Sequence, residues 1–232
     1  MREKASRRMA KVLFAVLCII WTGTLCGCGA WDALTQKLGF DTYDYMSEEV
    51  LAVYDGESPI AETLTDFLQI LPPSLPEFDS AGQAMQLYRD DVLDYMLRTE
   101  YARYSGNAEL IQEAQKENPG YQITQIIPAR EFETTMYRLF GGSVRITHKD
   151  GKRYKYLRNV NAYVASTAPI STEKKIDILQ IEETAQTYRV TFTVAIGEEI
   201  TEPYFALVIR RKDETLYFKQ LKKTTSAWEP AA

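Results

Sequence analysis

Two cysteines stand two positions apart in "TLCGCGAW", Cys26 and Cys28, and their type and spacing could do chemistry. A Cys-x-Cys pair can hold a metal, close a disulfide or exchange electrons. The setting argues for something else, because an uncharged run, "VLFAVLCIIWTGTL", comes immediately before it. Elsewhere the chemical inventory is thin. His148, in "RITHKDG", is the only histidine, which excludes His-x-x-x-His metal sites. No Gly-x-Ser-x-Gly elbow accompanies it, and a histidine beside a hairpin turn is expected to be solvated. Carboxylate doublets occur at Glu48-Glu49, Asp90-Asp91, Glu182-Glu183 and Glu198-Glu199. Neighbours in sequence point apart, so a doublet alone makes no shared acid-base site. Asp90 and Asp94 share a helix face, with Asp91 close to it, and read as a solvated acidic surface rather than a calcium site. No phosphate loop, dinucleotide fingerprint or calcium loop is present, so no cofactor and no resident metal are expected.

One positive feature is a crowd of cations. Arg145, Lys149, Lys152, Arg153, Lys155 and Arg158 surround a predicted hairpin, with Tyr154 and Tyr156 between them, and Arg210, Arg211, Lys219, Lys222 and Lys223 lie on another. Gathered on one sheet face they would bind an anionic polymer, a lipid headgroup or an acidic partner. Lysines on edge strands also guard against aggregation, so both readings stand.

The first residues explain the cysteines. "MREKASRRMAK" carries Arg2, Lys4, Arg7, Arg8 and Lys11 against Glu3, and the apolar run follows. That run is short of the roughly 20 residues a spanning helix needs, which favours a secretory signal over a permanent anchor. Leu25, Cys26, Gly27 and Cys28 read "LCGC", which resembles the lipobox of bacterial lipoproteins. The resemblance covers residues 1–28 and implies cleavage before Cys28 and a diacylglycerol thioether on its sulfur. Cys26 departs from the usual small residue at that position. The resemblance further implies a mature chain with one acylated cysteine, and therefore no disulfide partner, thiol nucleophile or cysteine-held metal. It places the protein at the cell membrane, lipid-anchored on the extracytoplasmic face.

Charge narrows the partners. The chain has 27 basic and 32 acidic residues; without the five and one of residues 1–27, 22 remain against 31, a net of −9. That composition excludes a nucleic-acid binder. Residues 28–140 hold 7 basic and 20 acidic side chains, residues 141–232 hold 15 and 11, so an acidic helical half is expected beside a basic sheet.

Periodicity predicts the elements. Residues 28–46 have no clean period and read as a lipid-proximal tether, 47–225 as one domain and 226–232 as a tail. Ser58 and Pro59 open a helix with Ile60, Leu64, Phe67 and Leu71 on one stripe. Ser80 and Gln83 have capping-box spacing and open a long helix that ends at Gly106, with Ala81, Met85, Tyr88, Val92, Tyr95 and Thr99 in line. "NAELIQEAQKENPG" predicts a third helix, "YQITQII" a strand, and Pro128 to Gly141 a helix buried through Phe132, Met136, Leu139 and Phe140. The period then switches to two. Asp150-Gly151 predicts a hairpin turn, and Arg189, Thr191 and Thr193 predict one wet sheet face.

Helices first and hairpins afterwards predict an α+β fold, with N-terminal helices packed on a C-terminal antiparallel meander. The order of elements over about residues 78–224 is similar to the NTF2-like fold, and a cystatin-like helix on a sheet reads much the same. The resemblance rests on topology alone and transfers no residue. The function expected is a lipid-anchored binding or accessory module, whose partner is a protein or an anionic envelope polymer. Two alternatives are a small cavity-based hydrolase or isomerase using carboxylates, and a structural envelope component.

Overall fold

The helices fall between Pro59 and Phe140 and the long strands between Lys175 and Lys223, the α+β order that the periodicity predicts. The computed structural model describes residues 44–142, 145–169 and 173–224. Helix α1, Pro59–Leu68, starts where expected, with Pro59 at its first position and Ser58 extended. The Ser58 hydroxyl leaves the helix uncapped and donates instead to the Asp55 carbonyl at 2.9 Å. Ala61, Leu64, Leu68 and the following Leu71 are buried, while Phe67 is partly buried and stacks on Phe218 at 4.2 Å.

The single long helix expected after Ser80 is divided into α2 (Ala81–Leu87), α3 (Arg89–Thr99) and α4 (Tyr101–Ser105). The cause of the first break is tertiary. Tyr88 is buried with its ring 5.5 Å from both Phe78 and Phe140, and its hydroxyl donates to the Pro76 carbonyl. Its backbone leaves the helical region, at φ −98° and ψ 12°. Helix α5, Ala108–Glu117, is capped by Asn107, which accepts from the Leu110 N–H. Helix α6, Ala129–Phe140, buries Phe132, Met136, Leu139 and Phe140, as the spacing predicts. No helix among the described residues is long and apolar enough to cross a membrane.

Two antiparallel sheets receive these helices. The larger holds β1 (Ala52–Tyr54), β5 (Lys175–Glu183), β6 (Thr187–Ile196), β8 (Tyr204–Arg210) and β9 (Leu216–Lys223) in that order, with β7 (Glu199–Ile200) also on β6. The smaller orders β2 (Gln125–Pro128), β4 (Ala162–Ala165) and β3 (Lys155–Leu157). One large apolar cluster joins α1, α2, α3 and α6 to the inner face of the larger sheet. A smaller one, including Ala114, Ile126, Leu157 and Val164, packs α5 on the smaller sheet.

Two further expectations are corrected. Asp150-Gly151 makes no hairpin: residues 145–154 are irregular, and the chain reverses between β3 and β4 instead, where Asn161 takes φ 47°. Local turn propensity loses to long-range partners, because Gly151 presses on Asp90 and the Asp150 carboxylate accepts the Tyr156 N–H at 2.9 Å. Nor is the outer face of the larger sheet wet at Arg189 and Thr191, each only 7% exposed. A 3-10 turn at Tyr45–Ser47 lies over it. Arg189 donates to the carbonyls of Tyr45, Met46 and Glu48 at 2.9–3.0 Å and pairs with Glu182 at 3.3 Å. Tyr45 clusters there with Phe205, Leu207 and Ile209.

After α6, Gly141 takes φ 65°, and a Cβ on it would lie 2.6 Å from the Tyr217 ring. Gly141→Ala is therefore expected to destabilise the fold by about 1–3 kcal/mol, from the left-handed backbone and the clash together. A lowered denaturation midpoint at unchanged slope checks this.

Candidate functional site

Because the helix restarts at Arg89, Asp90 and Asp91 stand in a helical first turn, with Asp94 one turn further on. Facing them are the end of α1 and the Pro72-Pro73 loop that follows it. Between lies a cleft of about 860 Å³, lined on that side by Ile70, Pro72, Pro73 and Pro76 and closed by Lys152, Arg153 and Lys174. Its size falls within the range of small-molecule sites.

The expected solvated acidic surface is instead sorted into tied and untied carboxylates. Asp94 takes both its oxygens to Arg153 Nη1, the longer contact being 2.7 Å, and accepts the Tyr154 hydroxyl as well. Asp90 accepts the Lys152 backbone N–H at 2.7 Å and Arg89 Nε at 3.3 Å. Gly151 makes this approach sterically feasible, since a Cβ there would lie 2.1 Å from Asp90 Oδ1. Asp91 differs. Among the described residues no side chain is hydrogen-bonded to or ion-paired with its carboxylate, and the charge of Lys152 acts on it from nearby. Burial foremost, and then the charges of Asp94 and Asp90, push its pKa up to about 6.

A second group titrates out of its usual range. Lys174 Nζ donates to the carbonyls of Leu68, at the end of α1, and of Leu71 in the segment beyond it. Burial, then the nearby charge of Arg98, pulls its pKa down to about 8, and Asp91 opposes that shift. The cleft thus presents one desolvated carboxylate and one easily neutralised amine. Such a site can bind a cation at Asp91 or move a proton near neutral pH. Among the described residues no group of three or more His, Cys, Asp or Glu side chains is arranged to hold a metal ion.

The predicted cations are dispersed. Arg153 is spent on Asp94, and Arg210 on Glu183 at 3.0 Å and the Tyr188 hydroxyl at 2.8 Å. Arg211 reaches the Tyr137 carbonyl and lies over the Tyr217 ring, while Lys155 lies over Tyr121. Lys222 pairs with Asp79, Lys219 lies over Tyr45 and Lys223 over Tyr204. Arg145, Lys149, Lys152 and Arg158 are exposed. The first group lies on β3 and the segments either side of it, the second on β8, β9 and the start of the turn between them, so the strands that carry them belong to different sheets. His148 is not solvated: Nε2 meets Glu133 Oε1 at 2.9 Å and its ring stacks on Tyr156.

Sequence reasoning passes over Lys174 and gives Asp91 no special place. The available signal is a carboxylate next to a helix break, in register with a double proline, and it becomes readable only once Tyr88 is known to interrupt the helix. The lipobox residues Leu25, Cys26, Gly27 and Cys28 lie outside the described residues. No protein family, no curated protein and no solved structure matches this chain, and the NTF2-like and cystatin-like resemblances have no structural match behind them.

Proposed function

We propose that the chain is a membrane-attached extracytoplasmic binding module that takes a small cationic ligand, such as a primary amine, in the cleft beside Asp91. The observation that carries the reading is the Asp91 carboxylate, half-buried in a cleft of ligand size while its neighbours Asp90 and Asp94 are already satisfied. An ammonium group placed there would give Asp91 a hydrogen-bonded counter-charge, where Lys152 and Lys174 act on it only as nearby charges, and the proline-lined wall would take an apolar body. Titrating n-butylammonium and a panel of amino acids into the full chain, followed by amide NMR shifts at Tyr95 and Thr99, tests it. Saturable shifts that vanish in Asp91→Asn support the reading; no shift with any amine removes it.

Membrane attachment rests on "LCGC". Cys28→Ala is expected to abolish cleavage before residue 28 and to remove the diacylglycerol mass, leaving the uncleaved apolar run of residues 12–25 as the only hold on the membrane. Intact mass checks both. Unchanged cleavage together with membrane residence would contradict the lipid.

A second reading has one observation in its favour. A carboxyl with pKa about 6 is poised as a general acid or base, and Asp91 in that role would make the cleft the site of a small hydrolase or isomerase. Turnover lost in Asp91→Asn, with substrate binding kept, would favour it over simple binding.

A further inference from the structure

Residues 145–154 form an irregular strap that is fixed at two places. At its C-terminal end Gly151 packs on Asp90, the Lys152 N–H is held by Asp90, and Arg153 and Tyr154 bind Asp94. Arg153 also reaches the Ala168 carbonyl through Nη2 at 2.6 Å. Earlier in the strap, His148 Nε2 lies 2.9 Å from Glu133 Oε1 on α6, and Nδ1 lies 3.1 Å from the hydroxyl of Tyr163 on β4. The ring lies on Tyr156 of β3, centroids 4.8 Å apart and planes 20° apart.

Proton positions follow from counting donors. Tyr163 is fully buried, and its hydroxyl meets His148 Nδ1. The Glu133 carboxylate can only accept, so the hydrogen of that contact sits on Nε2, and in the Nε2–H tautomer Nδ1 accepts the Tyr163 O–H. The result is a three-member relay, Tyr163 to His148 to Glu133, that ties the strap to both a helix and a strand.

We infer that His148 is a positioning residue for the cleft: its two hydrogen bonds latch the strap, and the latched strap keeps Asp90 and Asp94 occupied, so that of the three α3 carboxylates Asp91 is the one left for the ligand, with the exposed Asp66 and Glu173 at the rim. This rests on the ligand reading of the cleft. The latch needs the hydrogen bonds and not merely a flat ring, so two substitutions separate the causes. His148→Gln keeps a donor and an acceptor at similar reach; His148→Phe keeps the stacking on Tyr156 and loses both bonds.

Hydrogen exchange on the full chain in detergent, with thermal unfolding to confirm that each variant folds, reads the strap directly. In His148→Phe the amides of residues 149–156 are expected to exchange about tenfold faster, while His148→Gln stays within about twofold of the parent. Nitrogen-15 spectra of the parent are expected to show the Nε2–H tautomer, and n-butylammonium is expected to bind more weakly to His148→Phe than to His148→Gln. Equal protection in the Phe variant and the parent, or an Nδ1–H tautomer, would overturn the latch. If the parent binds no amine, the ligand reading fails by itself, and the exchange and tautomer results still decide whether the latch exists.

Discussion

Arg189→Ala is expected to lower the unfolding free energy by about 3–5 kcal/mol, because it removes one partner of a buried ion pair and strands the other. Glu182 would lose its partner at 3.3 Å, and the carbonyls of Tyr45, Met46 and Glu48 would lose their common donor. Those three carbonyls hold the Tyr45–Ser47 turn against the outer face of the larger sheet, so local release should accompany the global loss. Denaturant unfolding measures the first and hydrogen exchange at residues 45–50 the second. The double variant Arg189→Met with Glu182→Leu is a control on the cause. It should recover most of the loss, since an apolar pair of similar bulk leaves no buried charge unmatched. If it is as unstable as the single variant, the carbonyl contacts matter more than the ion pair.

Asp91→Asn is expected to do the opposite to stability while removing ligand binding. The folded-state pKa of Asp91, about 6, lies above the ordinary aspartate value. Folding therefore takes up a proton between about pH 4 and pH 6, and the Asp91 contribution to stability is fully present below that window and lost as pH rises through it. A shift of about two pKa units corresponds to about 3 kcal/mol for an enclosed group, and solvent screening at a partly exposed one reduces this to about 1–2 kcal/mol. Asn carries no charge to desolvate, so the variant should be more stable than the parent at pH 7 by that amount and should lack the decline between pH 4 and 6. Unfolding curves at pH 4, 5, 6 and 7 check the sign. A site residue that lowers stability in the resting protein is the usual mark of function retained at the expense of the fold.

Much of the scaffold was legible because it depends on local rules. Pro59 and Pro128 set two helix starts, Asn107 a third, and the period-two runs from Lys175 onward pair as antiparallel strands. What sequence could not supply is set by residues distant along the chain. Tyr88 continues its helical stripe perfectly well by pattern, and only Phe78, Phe140 and the Pro76 carbonyl make it a break. Asp150-Gly151 is a strong turn signal overruled by Asp90, some sixty residues earlier. Arg189 alternates as a surface residue should, yet it is covered by a turn from the start of the compact unit, which begins at Tyr45. The cleft inherits all of this: its charged groups come from α1, α3, the strap and the residues before β5, and no single stretch of sequence holds enough of them to announce a site.

The most direct test of the cleft as a cation-binding site is the titration of Asp91 itself, by carbon-13 NMR of aspartate-labelled full chain, with and without n-butylammonium. The carboxyl is predicted to titrate near 6 in the free protein and at lower pH when the amine is present, since a bound cation favours the ionised form. An Asp91 that titrates in the ordinary carboxylate range and does not respond to the amine would contradict the account.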